Sequence, residues 1–107
     1  MKYSFHAAAE AELNQAVDYY NTCRLNLGWE FSQEVHAAIQ NITVYPEAWT
    51  PLSKHTRRCL VRRFPYGVIY QTAGDVIRII AVMQLNRKPG YWRDRMAPGG
   101  RRNSSKE

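Results

Sequence analysis

The period of the apolar residues changes once along this chain, and that change limits the fold more than any single residue does. From Ala9 to Ile42 apolar side chains recur at helical spacing; from Arg57 to Met83 they alternate or run in β-branched blocks. A chain of this design has to lay a helical layer against a sheet, which is an α+β arrangement. Its 107 residues and 45% hydrophobic content suit one domain with one core.

Tyr3 and Phe5 alternate within residues 2–6 and predict a short opening strand. Ala9, Leu13, Ala16, Val17 and Tyr20 mark one face of a first helix, which Ala7, Ala8 and Ala11 favour further. The stretch Asn21–Gly28 reads as a break, with Gly28 as helix C-cap or hinge. Phe31, Val35, Ala38, Ile39 and Ile42 mark a second helix, closed by Pro46. The two form an antiparallel helical hairpin. After a loop holding Pro46, Trp49 and Pro51, strands are expected at 57–64, 68–72 and 76–83. Pro65-Tyr66-Gly67 is then a turn or bulge and Ala73-Gly74-Asp75 a hairpin turn. The expected fold is therefore a short N-terminal strand and a helical hairpin packed on an antiparallel meander. The domain spans 1–96, and residues 97–107, without apolar periodicity, read as a flexible basic tail.

No apolar run approaches the roughly 18 residues that cross a bilayer. The opening Met1-Lys2-Tyr3-Ser4-Phe5 lacks the apolar stretch of a secretory signal, so the cytoplasm is the default compartment. Cys23 and Cys59 are expected as free, buried thiols; their spacing suits no metal set, and no cofactor is implied.

Charge is distributed unevenly. Residues 1–53 carry two bases against six acids, a net −4; residues 54–107 carry thirteen bases against three acids, a net +10. Such a field favours an anionic or acidic partner at one end of the molecule. The densest stretch follows the last strand, where Arg87, Lys88, Arg93 and Arg95 are interleaved with Tyr91 and Trp92. Guanidinium groups bind phosphates bidentately, and exposed aromatic rings stack on unpaired bases. The alternative is that Tyr91 and Trp92 fold back onto the sheet. On a strand over 57–64, Arg58 and Arg62 share one face and Arg57 and Arg63 the other. Arg78, with Val76, Ile80 and Val82 as its expected face-mates, either lies on the open face or pairs with Asp75 or a helix acid. The arginines of the meander and of the arm beyond it are expected to converge on one anion-seeking surface.

The chain resembles the RelE/ParE superfamily of toxins from bacterial type II toxin–antitoxin modules, which include plasmid-stabilisation systems. The matching residues are Ala9, Glu12-Leu13 and Ala16 through Tyr19-Tyr20; Leu27-Gly28 and Phe31; Phe64-Pro65-Tyr66 and Tyr70; Ile77 through Ala81-Val82; and Arg87, Pro89-Gly90-Tyr91-Trp92 and Arg95. The resemblance implies a growth-inhibiting toxin held by a cognate antitoxin in a hetero-oligomer. ParE-like members poison DNA gyrase; RelE-like members cut messenger RNA on the ribosome without a metal. The motif set is nearer the ParE-like branch, and an inactive relative that only binds its antitoxin is the third possibility. If the chain is a nuclease, the resemblance assigns Arg87, Tyr91, Arg62 and Lys54 as phosphate stabilisers and proton shuttle. Many RelE-like relatives have His where this chain has Gln84, which cannot titrate; His55 is the substitute. Arg58, Arg63, Arg78, Trp92, Arg93 and Arg95 are the candidates for contact with a target or with phosphate.

Overall fold

The computed structural model describes residues 1–96. The predicted tail, 97–107, lies outside the described residues. Strand β1 (Lys2–Phe5) leads through His6 into helix α1 (Ala7–Cys23). His6 caps that helix, its Nδ1 accepting from the Ala8 N–H at 3.0 Å. Helix α2 (Leu27–Val44) follows after three residues, the last of which, Asn26, is left-handed at φ +67°. Then come β2 (Thr50–Pro51), β3 (Thr56–Leu60), β4 (Tyr66–Ala73), β5 (Val76–Gln84) and one 3-10 turn (Arg93–Arg95).

The helix break is shorter than expected, and Gly28 is not its cap. Gly28 is buried in the first turn of α2, where an added Cβ would lie 2.3 Å from the Val17 carbonyl oxygen. Its glycine is required by the close approach of the helices. Its N–H is held by Asn21 Oδ1 at 2.9 Å, which ties α2 to α1.

The five strands form one sheet in the order β1-β5-β4-β3-β2. Neighbours β2 to β5 pair antiparallel, and β1 lies parallel beside β5, from Lys2↔Val76 to Phe5↔Ile79. The sheet is thus mixed. Strand β2 falls within the predicted loop, because Thr50 and Pro51 pair with Arg58 and Arg57 at the sheet edge, where proline is tolerated. The predicted strand over 57–64 stops at Leu60. Val61–Pro65 is a tight turn: Val61 N–H donates to the Tyr66 carbonyl at 2.9 Å, and Arg63 is left-handed at φ +73°. Phe64 extended the apparent alternation, yet its ring packs on Tyr20 and Phe31 rather than in the sheet. Tyr66 and Gly67, read as punctuation, belong to β4.

One face of the sheet carries the helices. Ala9, Leu13 and Ala16 of α1 and Phe31, Val35, Ile39 and Ile42 of α2 pack on Val68, Tyr70, Ile77, Ile79 and Val82. Burial of an Ile side chain contributes roughly 1.5–3 kcal/mol, so this layer carries most of the fold's stability. Ile69, Ile80, Ala81 and Met83 form a second cluster on the opposite face. A register shift beside Ile69/Tyr70 separates these sets: Ile69 faces Ala81, Tyr70 faces Ile79, and Ile80 has no opposite residue. Val82 consequently returns to the helix side and is not a face-mate of Arg78 as period two predicts. Cys59 is buried and free, whereas Cys23 is exposed, against expectation, at the end of α1. Among the described residues no helix is long and apolar enough to cross a membrane.

Candidate functional site: the closing arm and the open sheet face

The arm starts where β5 loses its neighbour. Strand β1 covers β5 only to Ile79, and His6 N–H takes the Ile79 carbonyl at 2.8 Å before α1 begins. The edge of β5 beyond that point would present unpaired backbone groups. Two side chains take them. Glu12, on the α1 face one turn into the helix, accepts from the Val82 N–H at 3.0 Å. Arg95 donates to the Ile80 carbonyl at 3.2 Å and to Glu12 at 2.9 Å. Glu12 also accepts from the Tyr91 hydroxyl at 2.7 Å and lies 3.7 Å from Arg87. One carboxylate therefore clamps both ends of the arm to helix and sheet.

The arm bends back over the face opposite the helices. Trp92 is 4% exposed and packs with Ile69, Ile80, Ala81 and Met83; Tyr91 and Met96 flank that cluster. Two cations lie against the Tyr91 ring, the Arg87 guanidinium carbon 3.8 Å and that of Arg95 5.0 Å from its centroid. Burial, and then the bond to Glu12, push the Tyr91 phenol far above its ordinary pKa. Such a hydroxyl stays protonated and committed to Glu12, and it neither gives nor takes a proton readily near neutral pH.

The arginines do not converge on one surface. Arg63 belongs to the helix hairpin, donating to Glu30 at 2.8 Å and lying 3.8 Å from Glu34. Arg57 points to the helix side and donates to the carbonyls of Glu47 at 3.0 Å and Trp49 at 2.8 Å. Arg62 is exposed in the Val61–Pro65 turn, off the strand that holds Arg58. Arg87 and Arg95 serve Glu12. Arg58, Arg78 and Arg93 remain on or beside the open face, and none of them pairs with a carboxylate among the described residues. Arg58 lies flat across Gly67, where a Cβ would come within 2.9 Å of its Cδ. The Nε–H groups of Arg58 and Arg78 and the indole N–H of Trp92 are buried and unpartnered among the described residues.

Two clefts hold several of these residues. Glu12, Tyr66, Gln84 and Arg87 border one of about 170 Å³ beside the β5 edge. Lys54, His55, Arg57, Tyr70 and Glu47 line another of about 160 Å³ near β2 and β3. Tyr70, its pKa pushed up to about 12 chiefly by burial, donates there to the Pro46 carbonyl. Lys54 and His55 thus stand across the sheet from Arg87 and Tyr91, with β4 between β3 and β5. Sequence reasoning missed Glu12 as the hub of the arm. The available signal was an acid displaced from the solvent stripe of α1 and facing a surplus of bases.

Comparison with known proteins gives concordant results. The sequence model of the family described as ParE toxin of type II toxin–antitoxin system, parDE, matches residues 3–89. Proteins named Toxin ParE2 from two strains of Mycobacterium tuberculosis are 33% identical over 85 residues, covering 78% of this chain and 81% of each relative. A chain from the chromosomal ParDE system of P. aeruginosa superposes with a TM-score of 0.70 at 16% identity, over 80% of this chain and 97% of that one. The last match shows the shared fold alone.

Proposed function

The chain belongs to the ParE toxin family of type II toxin–antitoxin systems, and on that premise we propose that it halts growth as a binding toxin that poisons DNA gyrase. On this reading it acts in the cytoplasm and is held inactive in a hetero-oligomer with its cognate antitoxin.

The observation that carries the non-nuclease reading is the commitment of Tyr91 and Arg87, two of the would-be nuclease residues, to Glu12. RNA cleavage through the 2′-hydroxyl needs a proton carrier beside the cations that hold the phosphate. Here Tyr91 has its hydroxyl on Glu12, and Arg87 beside it also faces Glu12. Gln84 stands at the head of the arm and cannot titrate, and Lys54 lies in the other cleft, near β2 and β3. On or beside the open face, Arg58, Arg78 and Arg93 have no carboxylate partner among the described residues and remain to face a partner. We assign target contact to these three, and a fold-holding role to Arg63, Arg95 and Trp92.

The test is brief induction in cells, with primer extension on cellular messages alongside an assay for gyrase-linked DNA breaks. Breaks without message cleavage are expected. Codon-phased cuts in messages would establish the ribosome-dependent nuclease instead. Soluble protein with no growth defect would leave only antitoxin binding.

A further inference from the structure

A cavity of about 170 Å³ opens where the arm meets the open face, and the target reading does not account for its shape. Its walls are apolar: Leu52, Met83, Leu85 and Pro89. Its charge is of one sign, because Arg58 and Arg93 both line it and no acid does. Neither guanidinium pairs with a carboxylate among the described residues. Arg58 Nε and Trp92 Nε1, both on lining residues, are buried donors without partners among the described residues. Unmet buried donors and unpaired charge beside an apolar wall are costly in a free protein and favourable once an acceptor arrives.

The shape distinguishes a protein from a nucleic acid as the occupant. A surface for unpaired bases presents exposed aromatic rings for stacking. Here Trp92 is closed off at 4% exposure, and the neighbouring sheet residues, Ile69, Ile80, Ala81 and Met83, are aliphatic. An apolar pocket with guanidinium groups fits one apolar side chain next to one carboxylate. We propose that this cavity seats an acidic residue and its apolar neighbour from the antitoxin, with the carboxylate taken by Arg58 and Arg93. This rests on the toxin–antitoxin reading, and it gives neutralisation a physical form: the partner covers the arginines left open for the target.

The experiment measures binding of the purified toxin to the antitoxin encoded beside its gene, by calorimetry and by NMR. An Arg58→Glu, Arg93→Glu double variant should lose on the order of 100-fold in affinity, the usual scale for removing buried charge contacts from an interface. Circular dichroism and thermal unfolding establish that the variant is folded. If it is not, Arg93→Glu alone, at an exposed residue with no carboxylate partner among the described residues, should still lose about 10-fold. In NMR the indole N–H peak of Trp92, one of three tryptophans, should shift on antitoxin binding; Trp92→Phe assigns that peak. Unchanged affinity in a folded variant overturns the proposal. So does an indole peak that single-stranded oligouridylate shifts and antitoxin does not. Both readouts are independent of the growth target, so a failed gyrase assay leaves them intact.

Discussion

Replacing Glu12 with alanine should release the arm from the fold, and the size of the effect follows from its contacts. The Glu12 side chain is 12% exposed and that of Arg95 16%. Removing the carboxylate strands a half-buried guanidinium, a phenol and the Val82 N–H, which lose acceptors at 2.9, 2.7 and 3.0 Å. Breaking one side of a buried ion pair costs about 3–5 kcal/mol. Arg87 adds little, since its side chain is 54% exposed. Partial access of water to the arm favours the lower end, roughly 3 kcal/mol, and for a domain of this size that corresponds to a fall in Tm of about 15 °C. Glu12→Gln retains an acceptor for Val82 but loses the charge, and should cost roughly half as much. Thermal unfolding gives the global figure. Hydrogen exchange over residues 85–96 shows whether the arm opens first. A Glu12→Ala protein with unchanged Tm and unchanged protection of the arm would refute the clamp.

Four further outcomes are expected. Gly28→Ala places a methyl group 2.3 Å from the Val17 carbonyl, so denaturant unfolding should show a loss of roughly 2–3 kcal/mol as the helices are forced apart. A thiol reagent at pH 8 should label Cys23 alone in the native protein and both cysteines after unfolding, because burial pushes the Cys59 thiol up to about 11. The bond from Arg63 holds the Glu30 carboxyl below its usual range. Its stabilisation is therefore full above the unfolded carboxylate pKa and lost as pH falls through the lower folded value, so the stability curves of wild type and Glu30→Gln should converge in acid. Arg78 lies on the open face but outside the cavity at the arm, so Arg78→Glu should weaken toxicity in induced cells while antitoxin affinity, measured by calorimetry, stays within about twofold.

The elements were legible in sequence because each announces itself locally. The stripe Phe31, Val35, Ile39, Ile42 and the alternating Ile77 and Ile79 bury the faces that their periods predict, and both became part of the main core. Where local pattern failed, a distant contact had decided the matter. Gly28 looked like a cap because its requirement for smallness comes from Val17 on the other helix. Phe64 looked like a strand residue because apolar alternation cannot distinguish a ring in the sheet from one that leaves it to join Tyr20 and Phe31. Period two fails at Ile80 because a bulge inserts a residue without altering composition. The arm was visible as a basic, aromatic run. Its hub was not, because Glu12 is separated from Val82, Tyr91 and Arg95 by 70 to 83 residues.

The charge asymmetry changes meaning once those contacts are known. As a count, −4 against +10 suggests a polyanion partner for the whole C-terminal half. In space, Glu12 faces Arg87 and Arg95, and Glu30 and Glu34 face Arg63. Half of the six acids of the acidic segment thus hold down bases of the basic one, and part of the field is internal cross-linking. On the proposed reading the working surface is made by cations left over, and Arg58, Arg78 and Arg93 lie on or beside the face that the helices do not cover. An arginine that already holds a buried carboxylate has to break that bond before it can hold a phosphate or a partner's acid, at a cost of several kcal/mol. Among the candidate arginines read from the sequence, those without carboxylate partners among the described residues are the ones on which substitution should alter binding at least expense to the fold.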